Sequence, residues 1–100
     1  MSSLAYEPKI GRAFDLSITD DALTVDLLDG RTISVPLGWY PRLLHGSSAE
    51  RAHWRLIQSG EGIHWPDLDE DISVEGLVLG RPSGESQASL ERWLLGRSES

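Results

Sequence analysis

The chain has no cysteine in its 100 residues. That excludes disulfides, thiolate zinc sites and a cysteine nucleophile, and it fits a reducing compartment. Long apolar runs are also missing. Nothing approaches the roughly 20 apolar residues of a membrane-spanning helix. The opening MSSLAYEPKIGRAF lacks the apolar core of a secretory signal. A cytoplasmic protein is the expectation. Positive charge is scarce: nine basic residues face sixteen acidic ones, for a net charge of −7. Nucleic-acid affinity rests largely on basic contacts to phosphates, so direct binding of DNA or RNA is not expected. A basic protein partner suits such a field better. The motifs G-x-S-x-G, the P-loop and G-x-G-x-x-G do not occur.

What is present fits one small domain. A chain of this length buries roughly 60–70% of its unfolded surface, enough for one core without staples. Pro8 and Gly11 mark residues 1–11 as a loose lead-in. From Ala13 the pattern alternates. Phe14, Leu16 and Ile18 are apolar between Asp15, Ser17 and Thr19, the period of a half-buried strand. Asp20-Asp21 is a turn, and Leu23, Val25 and Leu27 form a second strand. Asp29-Gly30 is a hairpin signal of the type I′ kind. Ile33 and Val35 continue on a third strand, which Pro36 ends. A three-stranded antiparallel meander over residues 13–35 is predicted.

The following stretch is GWYPRLLHGSSAERAHWRLIQSGEG. Pro41 suits the first turn of a short helix, and Gly46 stops it. Ser47 and Glu50 match a capping box. Ala49, Ala52, His53 and Leu56 then follow helical spacing, which predicts one amphipathic helix from Ser48 to Ser59 covering the sheet. Gly62 to Trp65 reads as a fourth strand, ended by Pro66. Asp67 to Asp71 reads as a turn and helix cap, followed by a short helix over Ser73–Leu79. Gly80-Arg81-Pro82-Ser83-Gly84 is a break. A last short helix is expected from Ser86 to Leu95. The fold class is therefore α+β: a small three- to four-stranded antiparallel sheet, one main helix and short additional helices. Residues 12–80 form the domain, and 81–100 a linker and terminal helix.

The segment GIHWPDLDEDISVEG concentrates the titratable residues. Asp67, Asp69 and Asp71 resemble the start of a calcium loop. Such a loop requires Gly at its sixth position and Glu at its twelfth, where this chain has Ile72 and Val78. His45, His53 and His64 have no metal-ligand spacing. Glycosidase acids sit roughly 5–10 Å apart across a cleft with one pKa raised, which neighbouring aspartates do not provide. No metal, cofactor or catalytic residue is assigned. The block reads as a shaped turn anchored by Trp65 and Leu68, with Asp69 or Asp71 capping the next helix.

Trp39, Trp54, Trp65 and Trp93 carry two readings. Trp39, Trp54 and Trp65 close a small core, or they contribute to an interface, where Trp, Tyr and Arg are enriched. Trp39, Tyr40 and Arg42 combine those three types. Trp93 favours the interface, because its segment has little core of its own. These four residues are the candidate partner contacts.

The blocks DGRTISVPLGWYPRL, from Asp29 to Leu43, and HWPDLDEDISVEGLVLG, from His64 to Gly80, carry a resemblance. Residues 13–80 resemble the small bacterial domain-of-unknown-function family 2442. The resemblance implies an α+β domain, found in some bacterial proteins in front of a helix-turn-helix. In others it is encoded beside a second small protein, as in toxin–antitoxin pairs. It implies no catalytic residues. Segment 81–100 is too short for a helix-turn-helix, which argues against direct DNA contact. Three functions compete. The first is a non-enzymatic interaction module, antitoxin-like, whose protein partner is encoded by a neighbouring gene; self-association stays open. The second is a regulator contacting nucleic acid through Arg42, Arg51 and Arg55, directly or through a partner. The third is a hydrolase or metal enzyme using His64, Asp67 and Asp69, which no spacing favours.

Overall fold

The computed structural model describes residues 11–98. Residues 1–10 of the expected lead-in lie outside the described part. Gly11 is buried at φ +85°, and a Cβ there would lie 2.7 Å from the Glu75 backbone. Both the approach and the dihedral require glycine.

Strands β1 (Ala13–Ile18), β2 (Ala22–Leu27) and β3 (Thr32–Pro36) form an antiparallel sheet in that order. Ile18, Leu23 and Val35 pair across it on the core side, and Ser17, Thr24 and Ser34 on the other. One expectation fails at the start of β1. The register shifts between Ala13 and Asp15. This bulge moves the alternation by one residue, so Ala13 is buried and Phe14 is 57% exposed. The β2–β3 hairpin forms, but not as a type I′ turn. Gly30 N–H donates to the Leu27 carbonyl at 3.1 Å and Leu27 N–H to that of Arg31 at 2.8 Å. Only Gly30 has positive φ, at +96°. Leu28-Asp29-Gly30 is a three-residue loop, which needs one left-handed residue at its end. Asp29 holds Arg31 by its backbone N–H and its guanidinium, which keeps the carboxyl below its usual pKa range.

Beyond a 3₁₀ turn at Leu37–Trp39, Pro41 opens helix α1 (Pro41–Leu44) and Ser47 caps α2 (Ser48–Ala52). The capping box is complete: Glu50 N–H donates to Ser47 Oγ at 3.1 Å and Ser47 N–H to Glu50 Oε1 at 2.8 Å. The expected helix to Ser59 does not form. Ala49, Ala52 and His53, its supposed inner face, are exposed. Trp54, Leu56 and Ile57 suit a pleated surface better, and Arg55–Ile57 becomes β4, paired with β5 (Gly62–Trp65). Glu70 and Asp71, read as turn and cap, and Ser73, read as the start of a helix, belong to strand β6 (Glu70–Ser73) on the other side of β5. The fold therefore holds two three-stranded antiparallel sheets, β1-β2-β3 and β4-β5-β6, instead of one meander under one helix.

Helix α3 (Val74–Val78) is capped by Ser73, whose Oγ accepts from Gly76 N–H at 3.2 Å. Neither Asp69 nor Asp71 caps it. Asp71 instead meets His64 across the strands at 2.6 Å. Helix α4 runs from Gln87 to Ser98, past the expected end at Leu95. One core unites both sheets and the short helices, with Leu23, Leu37, Leu43, Ile63, Trp65 and Val74 among its fully buried members. Arg51 ties its edge together. It donates to the Leu43 and Leu44 carbonyls at 2.8 Å each and to Asp20 at 2.9 Å. Among the described residues, no helix is long and apolar enough to cross a membrane.

Ser73→Ala should cost about 0.5–2 kcal/mol, the worth of an N-cap. Asp71→Ala, which removes an exposed pair, should cost about 0–1 kcal/mol. Urea unfolding of both variants checks the order, and a larger loss for Asp71→Ala would contradict the assignment of the cap.

Candidate functional site

The acidic block is a β-hairpin hung on two core residues. Trp65 and Leu68 are fully buried, and Trp65 Nε1 donates to the Arg51 carbonyl at 3.0 Å. Pro66, with φ preset by its ring, enters the turn that Leu68 N–H closes on the Trp65 carbonyl at 3.3 Å. Asp69 leaves it at φ +50°, a conformation aspartate tolerates better than most residues. Asp67 contacts His53 Nδ1 at 2.8 Å. The carboxylates thus diverge, and among the described residues no three His, Cys, Asp or Glu converge on a metal position. His64, Asp67 and Asp69 are not brought together as a catalytic group.

A groove of about 620 Å³ runs beside this hairpin. Asp69 to Ser73 line one side, and Arg81 to Glu85 with Ser89 the other; Tyr40 and Arg42 also line it. The second wall is fastened to the domain at several points. Arg81 N–H donates to the Gly76 carbonyl at 2.8 Å and Ser83 N–H to the Trp39 carbonyl at 3.0 Å. Tyr40 Oη donates to the Arg81 carbonyl at 3.0 Å. The break at 80–84 is therefore a bonded strap across α1 and α3.

Arg42 joins the two walls. Its Nη2 meets Glu85 Oε2 at 2.7 Å, and its Nη1 donates to the Asp69 carbonyl at 2.9 Å. The contact holds the Glu85 carboxyl below the usual range. Glu70 behaves oppositely. It shares the core-facing side of β6 with Ile72, opposite Trp65, and burial pushes its pKa up to about 6 against the pull of Arg42. Burial, with the neighbouring Glu70 charge, pushes Tyr40 up to about 12, so its hydroxyl stays a donor.

The four residues singled out as partner contacts come together, but around this chain's own C-terminal segment. Tyr40 is 4% exposed and lies in the core. Trp39 is half-buried against it. Trp93 packs on the core from α4, with the Arg42 guanidinium 5.1 Å and that of Arg97 4.6 Å from its ring centre. Arg97 in turn meets Glu50 Oε1 at 2.7 Å, which with the cap bond from Ser47 holds Glu50 at about 2. Glu70, Glu85 and Arg97 were not anticipated, and Glu50 only as a capping residue. For Glu70 a signal existed: it alternates with Ile72 and so falls on the inner face. The Arg42–Glu85 and Arg97–Glu50 pairs, 43 and 47 residues apart, left none.

The family described as a protein of unknown function, DUF2442, matches residues 14–83. The chain belongs to the DUF2442 family. The family span contains the β6 wall, Tyr40 and Arg42, whereas Glu85, Trp93 and Arg97 lie beyond it. A crystal structure of a protein of unknown function from Rhodospirillum rubrum is similar at 27% identity and a TM-score of 0.63, covering 79% of this chain and 95% of that one. The solution structure of an uncharacterised protein from Chromobacterium violaceum shares the fold at 18% identity and a TM-score of 0.62, covering 81% of this chain and 75% of that one. No curated protein matches.

Glu70 raises a testable pH dependence. Its folded pKa of about 6 lies above the ordinary carboxyl value of 4.5, so ionising it opposes folding. Its favourable contribution is complete below pH 4.5 and is lost as pH rises through about 6. Glu70→Gln should therefore gain about 1 kcal/mol over the wild type at neutral pH, allowing for solvent screening, and little at pH 4. Urea unfolding at both pH values checks this, and an identical pH profile for the two proteins would contradict it. Trp93→Ala removes the ring that the Arg42 and Arg97 guanidiniums both approach, each contact worth about 0.5–1 kcal/mol. Amide exchange in α4 should accelerate while that of β5 is unchanged.

Proposed function

We propose that this DUF2442 protein is a non-enzymatic protein-interaction module acting in the cytoplasm, the antitoxin-like member of a two-protein pair. The observation that carries the reading is the wall chemistry of the groove. Small-molecule sites are mostly apolar with a few placed polar groups. Here Ile72 and Pro82 are outnumbered by carboxylates, guanidiniums, hydroxyls and glycines. Such a surface suits a polypeptide, which presents regularly spaced backbone groups and charges. The net charge of −7 favours a basic one. The family resemblance, which implies that some members are encoded beside a second small protein, supports the same reading. Contact with nucleic acid is the weaker reading, since of Arg42, Arg51 and Arg55 the first two guanidiniums are already bonded within the chain and only Arg55 stands exposed.

A tagged full-length chain expressed in its native bacterium should retain a basic protein in stoichiometric amount, giving a complex of fixed mass by native mass spectrometry. Asp69→Lys/Asp71→Lys should lose that partner while keeping its own melting profile within a few degrees. A chain that elutes alone would end the proposal.

A further inference from the structure

The order β4-β5-β6 gives β6 a strand neighbour on one side only. An open strand side presents backbone groups to another extended chain. Here that side faces the groove, where Asp69, Asp71 and Ser73 line the wall.

The register fixes which groups point outward. In an antiparallel pair, residues bonded to the partner strand alternate with residues turned away. Val74 N–H donates to the Glu61 carbonyl at 3.0 Å. Counting along the register from that bond, Ile72–Ile63 and Glu70–Trp65 are bonded pairs, so Asp69, Asp71 and Ser73 turn outward. Two contacts agree with this phase. Asp71 N–H donates to Glu70 Oε1 at 3.1 Å, a side chain of its own strand. The Asp69 carbonyl accepts from Arg42 across the groove at 2.9 Å. The edge thus already engages a donor from a groove-lining side chain.

Charge selects the occupant. Asp69, Glu70, Asp71 and Glu85 line the groove against Arg42 and Arg81, and Arg42 is committed to Glu85 and Asp69. A second copy of the same edge would set these aspartates against each other with −7 on each chain, which disfavours self-pairing.

We propose that the open edge of β6, along the groove between Asp69–Ser73 and Arg81–Glu85, binds an extended basic segment of a partner protein by strand addition. The inference rests on the interaction-module reading and names its mode. At roughly 3.4 Å per residue, the edge from Asp69 to Ser73 accommodates about five residues of a partner. Backbone bonds to the outward groups of Asp71 and Ser73 supply the pairing, and lysine or arginine side chains meet the carboxylates.

The test uses the full-length ¹⁵N-labelled chain and the probe acetyl-Lys-Val-Lys-Val-Lys-amide, followed by amide chemical shifts. Saturable shifts at 69–73 and 81–85 are expected. The acidic twin, with Glu for Lys, and a probe N-methylated at alternate amides should each bind about tenfold more weakly or not at all. Asp71→Pro removes the outward N–H at an edge position that accepts proline and should have the same effect, whereas Asp71→Ala keeps the donor and should lose less. An N-methylated probe that binds as well as its parent overturns strand addition without depending on any variant's folding. Shifts centred elsewhere, or no saturable shift, overturn it too. A partner captured from the host that leaves the β6 amides unprotected would remove this mode while the interaction-module reading stands.

Discussion

The Arg42 guanidinium meets Glu85 at 2.7 Å, donates to the Asp69 carbonyl at 2.9 Å and lies 5.1 Å from the centre of the Trp93 ring. A planar, permanently charged fork can serve these partners at once, which an ammonium group cannot. Through it the hairpin, the strap and α4 are held to α1. Without it, the two walls of the groove would share fewer bonds, and Trp93 would keep only Arg97 above its ring. The position of Arg42 follows from Pro41, which starts α1 one residue earlier, and from Tyr40, whose burial fixes the helix against the core.

The division into two sheets has a local cause. The capping box at Ser47–Glu50 starts a helix, but the next residues offer it no inner face to bury. Ala49, Ala52 and His53 carry little apolar surface and stay exposed, and Leu56 and Ile57 pair with β5 instead. A helix of five residues is then all the cap can support. The same competition makes Glu70–Ser73 a strand. Its acids do not gather at a helix terminus. They alternate between a groove-lining edge and a half-buried inner position, which is how Glu70 comes to sit over the core.

The aromatic residues that look like interface anchors are largely engaged by the chain itself. Tyr40, Arg42 and Trp93 organise the docking of the C-terminal segment, and this part lies mostly beyond the family span of residues 14–83. What the proposed strand partner would meet is backbone and carboxylate: the outward side of β6 and the acids along it. In such a site hydrogen-bond direction and charge decide specificity, with apolar area contributing less.

The sequence by itself determined the local features. Period-two alternation placed β1, β2 and β3, the short apolar run before Pro66 marked β5, Asp29-Gly30 made a hairpin, Pro41 opened a helix and Ser47–Glu50 closed a capping box. Each rests on neighbours within a few residues. The DGR and HWP blocks likewise identified the family. Only the tertiary structure decided the bulge that exposes Phe14, the strands at Arg55–Ile57 and Glu70–Ser73, and the groove itself. These depend on which segments meet across long stretches of chain: Gly60 against Ala13, Arg42 with Glu85, Glu50 with Arg97. Short-range propensities differ by only fractions of a kcal/mol per residue, so a single packed neighbour outweighs them. A carboxylate's role is set the same way, by what is buried beside it, and no spacing in the chain records that.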